Sequence, residues 1–432
     1  MAKYEWDDGP ATLGPHSIAK HTILREYIEQ YIHILTRGGT IPNLRLTLID
    51  GFAGGGEYVV EGQGPTIHDG SPLVLIGAVQ TAIARLNAPE RHRNKPVEVD
   101  ANFIFVEKNK STCAYLKDAL ERRHLLNEKV RIEPRAFEEV VDGIIDKLRR
   151  ASGRKPRPIF VLDQYGYTAI PVDMISKIMT SLPTAEIFLT LAVDNIAAHA
   201  STAQQALYQL RKSLHIDPKF EDFFAGRKSM DEAGALSEEE RGRLMLYIQR
   251  LLHDAFAKRA GARCYTPFFI TSRASNRSYW FLHLAHDSKA NDVVKSLHWK
   301  VSNHFKHYGG EGTGMLMLGF DPAINAQQLP FDFGDSARDR TVKALVAELP
   351  AIIQKKYHSG VTLKDLYDGL CNEIPASKEI LGDAVNLLCV EDELVKAGGK
   401  GEDRENATKV KDSDVIRMPK NQTLFSHFRA KK

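Results

Sequence analysis

Four short apolar runs in this chain each end on a carboxylate. Asp50 follows LTLI (Leu46 to Ile49), Glu107 follows NFIFV (Asn102 to Val106), Asp163 follows PIFVL (Pro158 to Leu162), and Asp194 follows AEIFLTLAV (Ala185 to Val193). Short apolar runs bounded by turn formers read as buried strands of a parallel sheet. In an open α/β sheet, ligands bind in the crevice outside the carboxyl ends of the strands. One acid at such a place would be chance. Four at equivalent places point to a polar ligand crevice along one sheet edge, able to hold a cation, accept hydroxyl hydrogen bonds and orient an amine.

The first acid opens a glycine-rich loop, Asp50-Gly51-Phe52-Ala53-Gly54-Gly55-Gly56. A P-loop requires GxxxxGK[ST], and no Lys-Ser or Lys-Thr follows these glycines. The dinucleotide fingerprint requires GxGxxG, and Gly54-x-Gly56 continues into Glu57-Tyr58-Val59. An acid directly before a glycine turn suits S-adenosylmethionine, with the cationic methionyl end facing Asp50 and the backbone N–H groups from Gly51 to Gly55 facing its carboxylate. A tight turn that packs a helix on a strand fits the loop equally well. Ser71, followed by Pro72, reads as a helix N-cap whose free N–H groups border the crevice. Glu107 can accept both ribose hydroxyls. It lies 57 positions after Asp50, against about 20 in dinucleotide folds, and a loop over 57–70, a helix and a polar connection account for the excess. Ala136 and Phe137 fall where an adenine would lie, although Phe137 also suits the core. Asp163 can accept a hydrogen bond from an attacking amine and orient its lone pair, and Tyr165 offers a base a stacking face.

Stepping outward, the helical period of Ile23, Leu24, Tyr27, Ile28, Tyr31, Ile32 and Leu35 predicts a helix ahead of the first strand. Strand and helix then alternate five times, which predicts a Rossmann-like, doubly wound, mostly parallel α/β sheet. Residues 199–260 read as a helical insertion, and Tyr265 to Thr271 with Ser278 to Ala285 as a closing pair, at least partly antiparallel. Residues 335–432 read as three helices and a β wing, a winged-helix-like domain after an α/β domain over 1–334. The wing carries basic residues, among them Lys396, Lys409, Lys411 and Arg417, suited to nucleic-acid phosphates or to protein docking. His304 and His307 share a helix face, but no acid completes a ligand set, so no metal site is expected. A net charge of +3 permits nucleic acid without demanding it. Four scattered cysteines without a CxxC pair, no secretory signal and no apolar run of membrane length predict a cytoplasmic protein with reduced thiols.

KHTIL (Lys20 to Leu24), DGFAGGG (Asp50 to Gly56), GSPL (Gly70 to Leu73), Glu107 and DQYGY (Asp163 to Tyr167) together resemble the three-Cys-motif partner proteins, TcmP. The resemblance covers most of residues 15–200 and extends more loosely to the C-terminal region. It implies a class I S-adenosylmethionine methyltransferase-like fold and a partner bearing a three-cysteine motif, similar to a radical-type iron–sulfur protein. The family has Asp-Pro-Tyr-Gly where this chain has Asp163-Gln164-Tyr165-Gly166, and Gln164 keeps a backbone N–H that proline lacks. A similar Asp-Pro-Phe-Gly in tRNA guanine-N2 methyltransferases points to a nucleobase amine as methyl acceptor. The expected activity is therefore S-adenosylmethionine-dependent methylation of a nucleic-acid base amine. A catalytically idle methyltransferase fold that binds the partner or nucleic acid is the alternative.

Overall fold

The computed structural model describes residues 6, 9–60, 66–89, 95–151, 157–164, 170–192, 255–271, 278–301, 306–307, 331–332, 335–398 and 409–419. Tyr165, Asp194, His304 and nearly all of the expected helical insertion lie outside them. The chain divides into two compact units, Met1–His307 and Tyr308–Lys432.

The first unit is built on a seven-stranded sheet. Its strands are β2 (Asn43–Asp50), β5 (Glu98–Val106), β6 (Val130–Glu133), β7 (Arg157–Asp163), β8 (Glu186–Ala192), β9 (Cys264–Thr271) and β10 (Ser278–Ala285), in the order β6-β5-β2-β7-β8-β10-β9. β6, β5, β2, β7 and β8 run parallel to one another, whereas β10 is antiparallel to both β8 and β9. The near-continuous apolar sequence of β2, β7 and β8 has a direct cause, because helices cover both faces of such a sheet and neither face meets water. Among the described residues its helices include α1 (Pro15–Leu35), α2 (Ser71–Leu86), α3 (Lys110–Arg122), α4 (Phe137–Arg150), α5 (Val172–Ser181) and α6 (Ser288–Val301). α1 packs against α2 and α6, and α4 against α5. Among the described residues no helix is long and apolar enough to cross a membrane.

The segment 57–70, expected to be a loop, holds two strands. β1 (Ala11–Leu13), β3 (Glu57–Val60) and β4 (Ile67–Asp69) form a separate sheet in the order β1-β3-β4, with β1 parallel and β4 antiparallel to β3. The neighbouring glycines hide the β-forming run Tyr58-Val59-Val60, and β1 is too short to show a period of its own. The small sheet is fastened to α3 through Glu57. Its buried carboxylate takes Arg122 Nη2 at 2.7 Å and Arg123 Nε at 3.0 Å from the end of α3, and Arg123 also bonds Asp69 at 2.7 Å. Losing one partner of a buried carboxylate leaves part of its charge unpaired. Arg123→Met is therefore expected to destabilise the chain by about 1–3 kcal/mol, with Arg122 keeping the loss below that of a fully stranded acid. Urea unfolding of the two proteins measures it.

The second unit runs helix (Asp335–Lys356), strand (Val361–Thr362), two helices (Leu363–Leu370, Lys378–Val390) and two strands (Val395–Ala397, Val415–Arg417). The strand Val415–Arg417 lies between the other two, antiparallel to both. Thr362 and Ser377 cap the second and third helices by accepting from Asp365 N and Ile380 N. Lys396, expected on a basic surface, is fully buried within the strand Val395–Ala397. Lys409 and Lys411 are exposed.

Candidate functional site

Register sets the site. Asp50, the last residue of β2, stands opposite Phe105 of β5 and Val161 of β7. Glu107 and Asp163 each follow two residues further along those flanking strands, so three carboxylates end three adjacent parallel strands about 5 Å apart. Asp163 in turn stands opposite Thr190 of β8.

The Asp50 side chain is fully buried. Its Oδ1 accepts the Phe52 N–H at 3.0 Å, while Oδ2 has no hydrogen-bond partner. Burial pushes its carboxyl up to about 7. The Ser71 hydroxyl and the Phe52 N–H oppose that shift, and the negative charges of Asp163 and Glu107 add to it. A buried, orphaned carboxylate oxygen is costly, and a cation seated against it would remove the cost.

Glu107 is tied to the glycine loop. Its Oε2 accepts Gly54 N–H at 3.2 Å and its Oε1 accepts Asn109 N–H at 2.8 Å. A carboxylate has about four acceptor positions, so two remain for hydroxyls. The expectation that the loop's N–H groups face a ligand narrows accordingly. Gly51 N–H bonds Val161 O at 2.9 Å, Ala53 N–H bonds Val106 O at 2.9 Å, and the Phe52 and Gly54 amides serve Asp50 and Glu107. These four amides hold the loop on the strand tips.

The glycines themselves make room for protein. A Cβ on Gly55 would lie 2.4 Å from Trp6 Nε1, and one on Gly56 2.7 Å from Leu116 Cδ1. Gly54 and Gly56 have φ of 58° and 80°, where glycine carries no Cβ strain. Trp6 donates to Glu57 O at 2.9 Å and meets Tyr58 edge-on, with ring centroids 5.3 Å apart. Trp6 lies in the N-terminal arm ahead of β1, and a lone tryptophan there carries no periodic signal.

Ser71 is not the N-cap of α2. Gly70 is, with extended backbone, and Ser71 is the first helical residue. Gly70 N–H bonds Gly56 O at 2.7 Å, and a Cβ on Gly70 would lie 2.5 Å from the Tyr58 ring, so only glycine can make this approach. The shift by one residue places the Ser71 hydroxyl beside Asp50. Ala136 is the N-cap of α4 and partly exposed. Phe137 is 1% exposed, packs on Phe160 and lies 3.0 Å from where a Gly51 Cβ would be. The ring is part of the wall behind the loop.

Asp163 is held from outside the sheet, by α1. Lys20 of α1 is 4% exposed and its ammonium group is ion-paired with Asp163 Oδ2. Burial alone would raise the Asp163 carboxyl. The charge and hydrogen bond of Lys20, with the Thr190 hydroxyl beside it, prevail and hold it below the ordinary carboxylate value. The adjacent His21 is also buried. Burial and the Lys20 charge push its imidazole down to about 4, against the pull of Asp163, so it is neutral at pH 7. Gln164 is 3% exposed. Its Oε1 accepts Ile170 N–H at 3.0 Å and its Nε2 has no partner. Among the described residues no group of three or more His, Cys, Asp or Glu side chains is arranged to hold a metal ion.

No protein-family model and no curated protein matches this chain. Solved structures resemble it at the level of fold. A Legionella pneumophila protein of the DUF519 family is 10% identical, with 64% of this chain and 90% of that one covered and a TM-score of 0.35. A SAM-dependent methyltransferase from Agrobacterium tumefaciens is also 10% identical, with 63% of each chain covered and a TM-score of 0.29. Magnesium protoporphyrin IX methyltransferase from Synechocystis, with bound SAH, is 12% identical over 62% of this chain and 86% of that one, at a TM-score of 0.24. Likenesses this loose carry no weight alone. The strand order does, since a parallel sheet with strands taken 3-2-1-4-5 and closed by an antiparallel 7-6 edge is a specific topology. The fold is Rossmann-like, a doubly wound α/β sheet.

Proposed function

We propose that this chain is an S-adenosylmethionine-dependent methyltransferase acting on a nucleic-acid base amine. The observation that carries the reading is the buried, unpartnered Oδ2 of Asp50, on the central strand of a methyltransferase-like sheet. The residues fit the cofactor. Asp50 would take its α-ammonium group, the two free acceptor positions of Glu107 its ribose hydroxyls, and Ala136 would border its adenine, with Phe137 behind. The bound cofactor supplies a methyl group on a sulfonium, which needs no protein nucleophile. The chain's own task is to place the acceptor, and Asp163 at the end of β7 would accept an amine N–H and aim the nitrogen lone pair. Tyr165, two residues on, would stack on the base. An idle fold fits Asp50 poorly, because a module that binds no cation would be more stable with an amide or an apolar side chain there.

The proposal extends to a partner bearing a three-cysteine motif and to nucleic-acid contact through the second unit. That unit's order of helix, strand, two helices and two strands supports a winged-helix reading, with exposed Lys409 and Lys411 near the last strand. Incubation with methyl-labelled S-adenosylmethionine and total RNA, DNA or protein tests the acceptor class. Label is expected in nucleic-acid bases, and label confined to protein would contradict the proposal.

A further inference from the structure

We propose that Lys20 is a positioning residue of the methyl-acceptor subsite, fixing the Asp163 carboxylate in one orientation at the carboxyl end of β7. This rests on the methyltransferase reading above and adds to it a residue from outside the sheet. Lys20 sits on the inward face of α1, with Ile23, Leu24 and Tyr27 at the next three and four, then seven, positions, all buried. A lysine 4% exposed in such surroundings is stable only if paired, and its ammonium group meets Asp163 Oδ2. Thr190 of β8 supports the same carboxylate from the other side.

The consequence is a division of labour. A carboxylate clamped by an ammonium group is a weak proton acceptor, so Asp163 orients the acceptor and does not deprotonate it. With Lys20 on Oδ2 and the Thr190 hydroxyl also bonded to the carboxylate, the acceptor's N–H is left with few directions of approach. Lys20 itself exchanges no proton. The groups that face this carboxylate are Lys20 and His21 from α1, Thr190 from β8 and Asp50 from β2, with Arg25 acting on His21. His21 is neutral, so Lys20 is the cation that decides the charge on Asp163.

A stability cycle on the cofactor-free protein and a transfer assay test this together. Lys20→Met is expected to lower the urea midpoint at pH 7.5. The loss should shrink as pH falls and Asp163 takes up a proton. Lys20→Met combined with Asp163→Asn should recover most of it. Calorimetry should show the cofactor bound by Lys20→Met as by wild type, while labelled methyl transfer to total RNA falls about 100-fold, with partial recovery in Lys20→Arg. At saturating S-adenosylmethionine, where protonation of Asp50 no longer limits the rate, the acid limb of the transfer profile should move to higher pH in Lys20→Met, a change that a purely structural ion pair would not cause. Unchanged transfer in Lys20→Met, or equal loss of cofactor binding, overturns the positioning role. A wild-type chain that binds no S-adenosylmethionine overturns the methyltransferase reading and this role with it, and is told apart by the first titration.

Discussion

Asp50→Asn binds S-adenosylmethionine about 100-fold more weakly than wild type, yet the cofactor-free variant is the more stable of the two above neutral pH. The binding loss follows from charge. A hydrogen bond between charged groups is worth roughly 1.5–3 kcal/mol, and about 2.8 kcal/mol corresponds to 100-fold in affinity. The stability gain follows from linkage. The folded-state carboxyl of Asp50 titrates at about 7, above an unfolded value near 4. A raised carboxyl means that the folded chain holds the proton longer than the unfolded one does. Stability therefore falls as pH rises between those two values. Each pH unit is worth about 1.4 kcal/mol, so the wild-type carboxylate costs on the order of 4 kcal/mol by pH 8. The amide removes that cost, and the difference between the two proteins should vanish near pH 4. Urea unfolding at pH 4, 6 and 8 checks the stability side. A variant less stable than wild type at pH 8 would show that Oδ2 has a protein partner after all.

Gly55→Ala destabilises the chain by about 3 kcal/mol and releases Trp6 into solvent. Backbone conformation is not the reason, because Gly55 is not among the positive-φ glycines. Space is. The new methyl group would fall 2.4 to 2.6 Å from Nε1, Cδ1 and Cε2 of the indole, which is anchored by its bond to Glu57 O. Either the loop moves off the strand tips or Trp6 leaves its place on Tyr58. Loss of a buried tryptophan costs about 3–5 kcal/mol. In a Trp6→Ala background the same change should cost almost nothing, so the two substitutions should be strongly non-additive. Unfolding measurements on the four proteins, with tryptophan emission moving to longer wavelength in Gly55→Ala, check this. Additive costs would mean that the arm and the loop are independent.

The large sheet was readable because its strands are buried on both faces and so print as continuous apolar runs. Ser278–Ala285 has the expected bounds, and Asp50, Glu107 and Asp163 stand at the expected strand ends. The small sheet was not readable, since β1 and β3 pair across a distance in sequence that local patterning does not sense. The roles of the glycines were half readable. Their presence signalled a close approach, but the group that approaches Gly55 is an indole from the arm. Lys20 and His21 did carry a signal. The same helical period that marks Ile23, Leu24, Tyr27 and Ile28 as core places both on the inward side of α1, and a buried lysine there requires an acid. That acid, Asp163, lies 143 positions away, and only the fold brings it near.

The central claim is that the unpartnered Oδ2 of Asp50 receives a cation. Calorimetric titration of the wild-type chain with S-adenosylmethionine, repeated at successive pH values, tests it most directly. Binding should be present at pH 7.5 and weaken up to tenfold per pH unit below about 7, the value at which Asp50 takes up its proton, and Asp50→Asn should show weak binding with no such slope. Absence of binding at every pH, or the same affinity and slope in Asp50→Asn, would contradict the account.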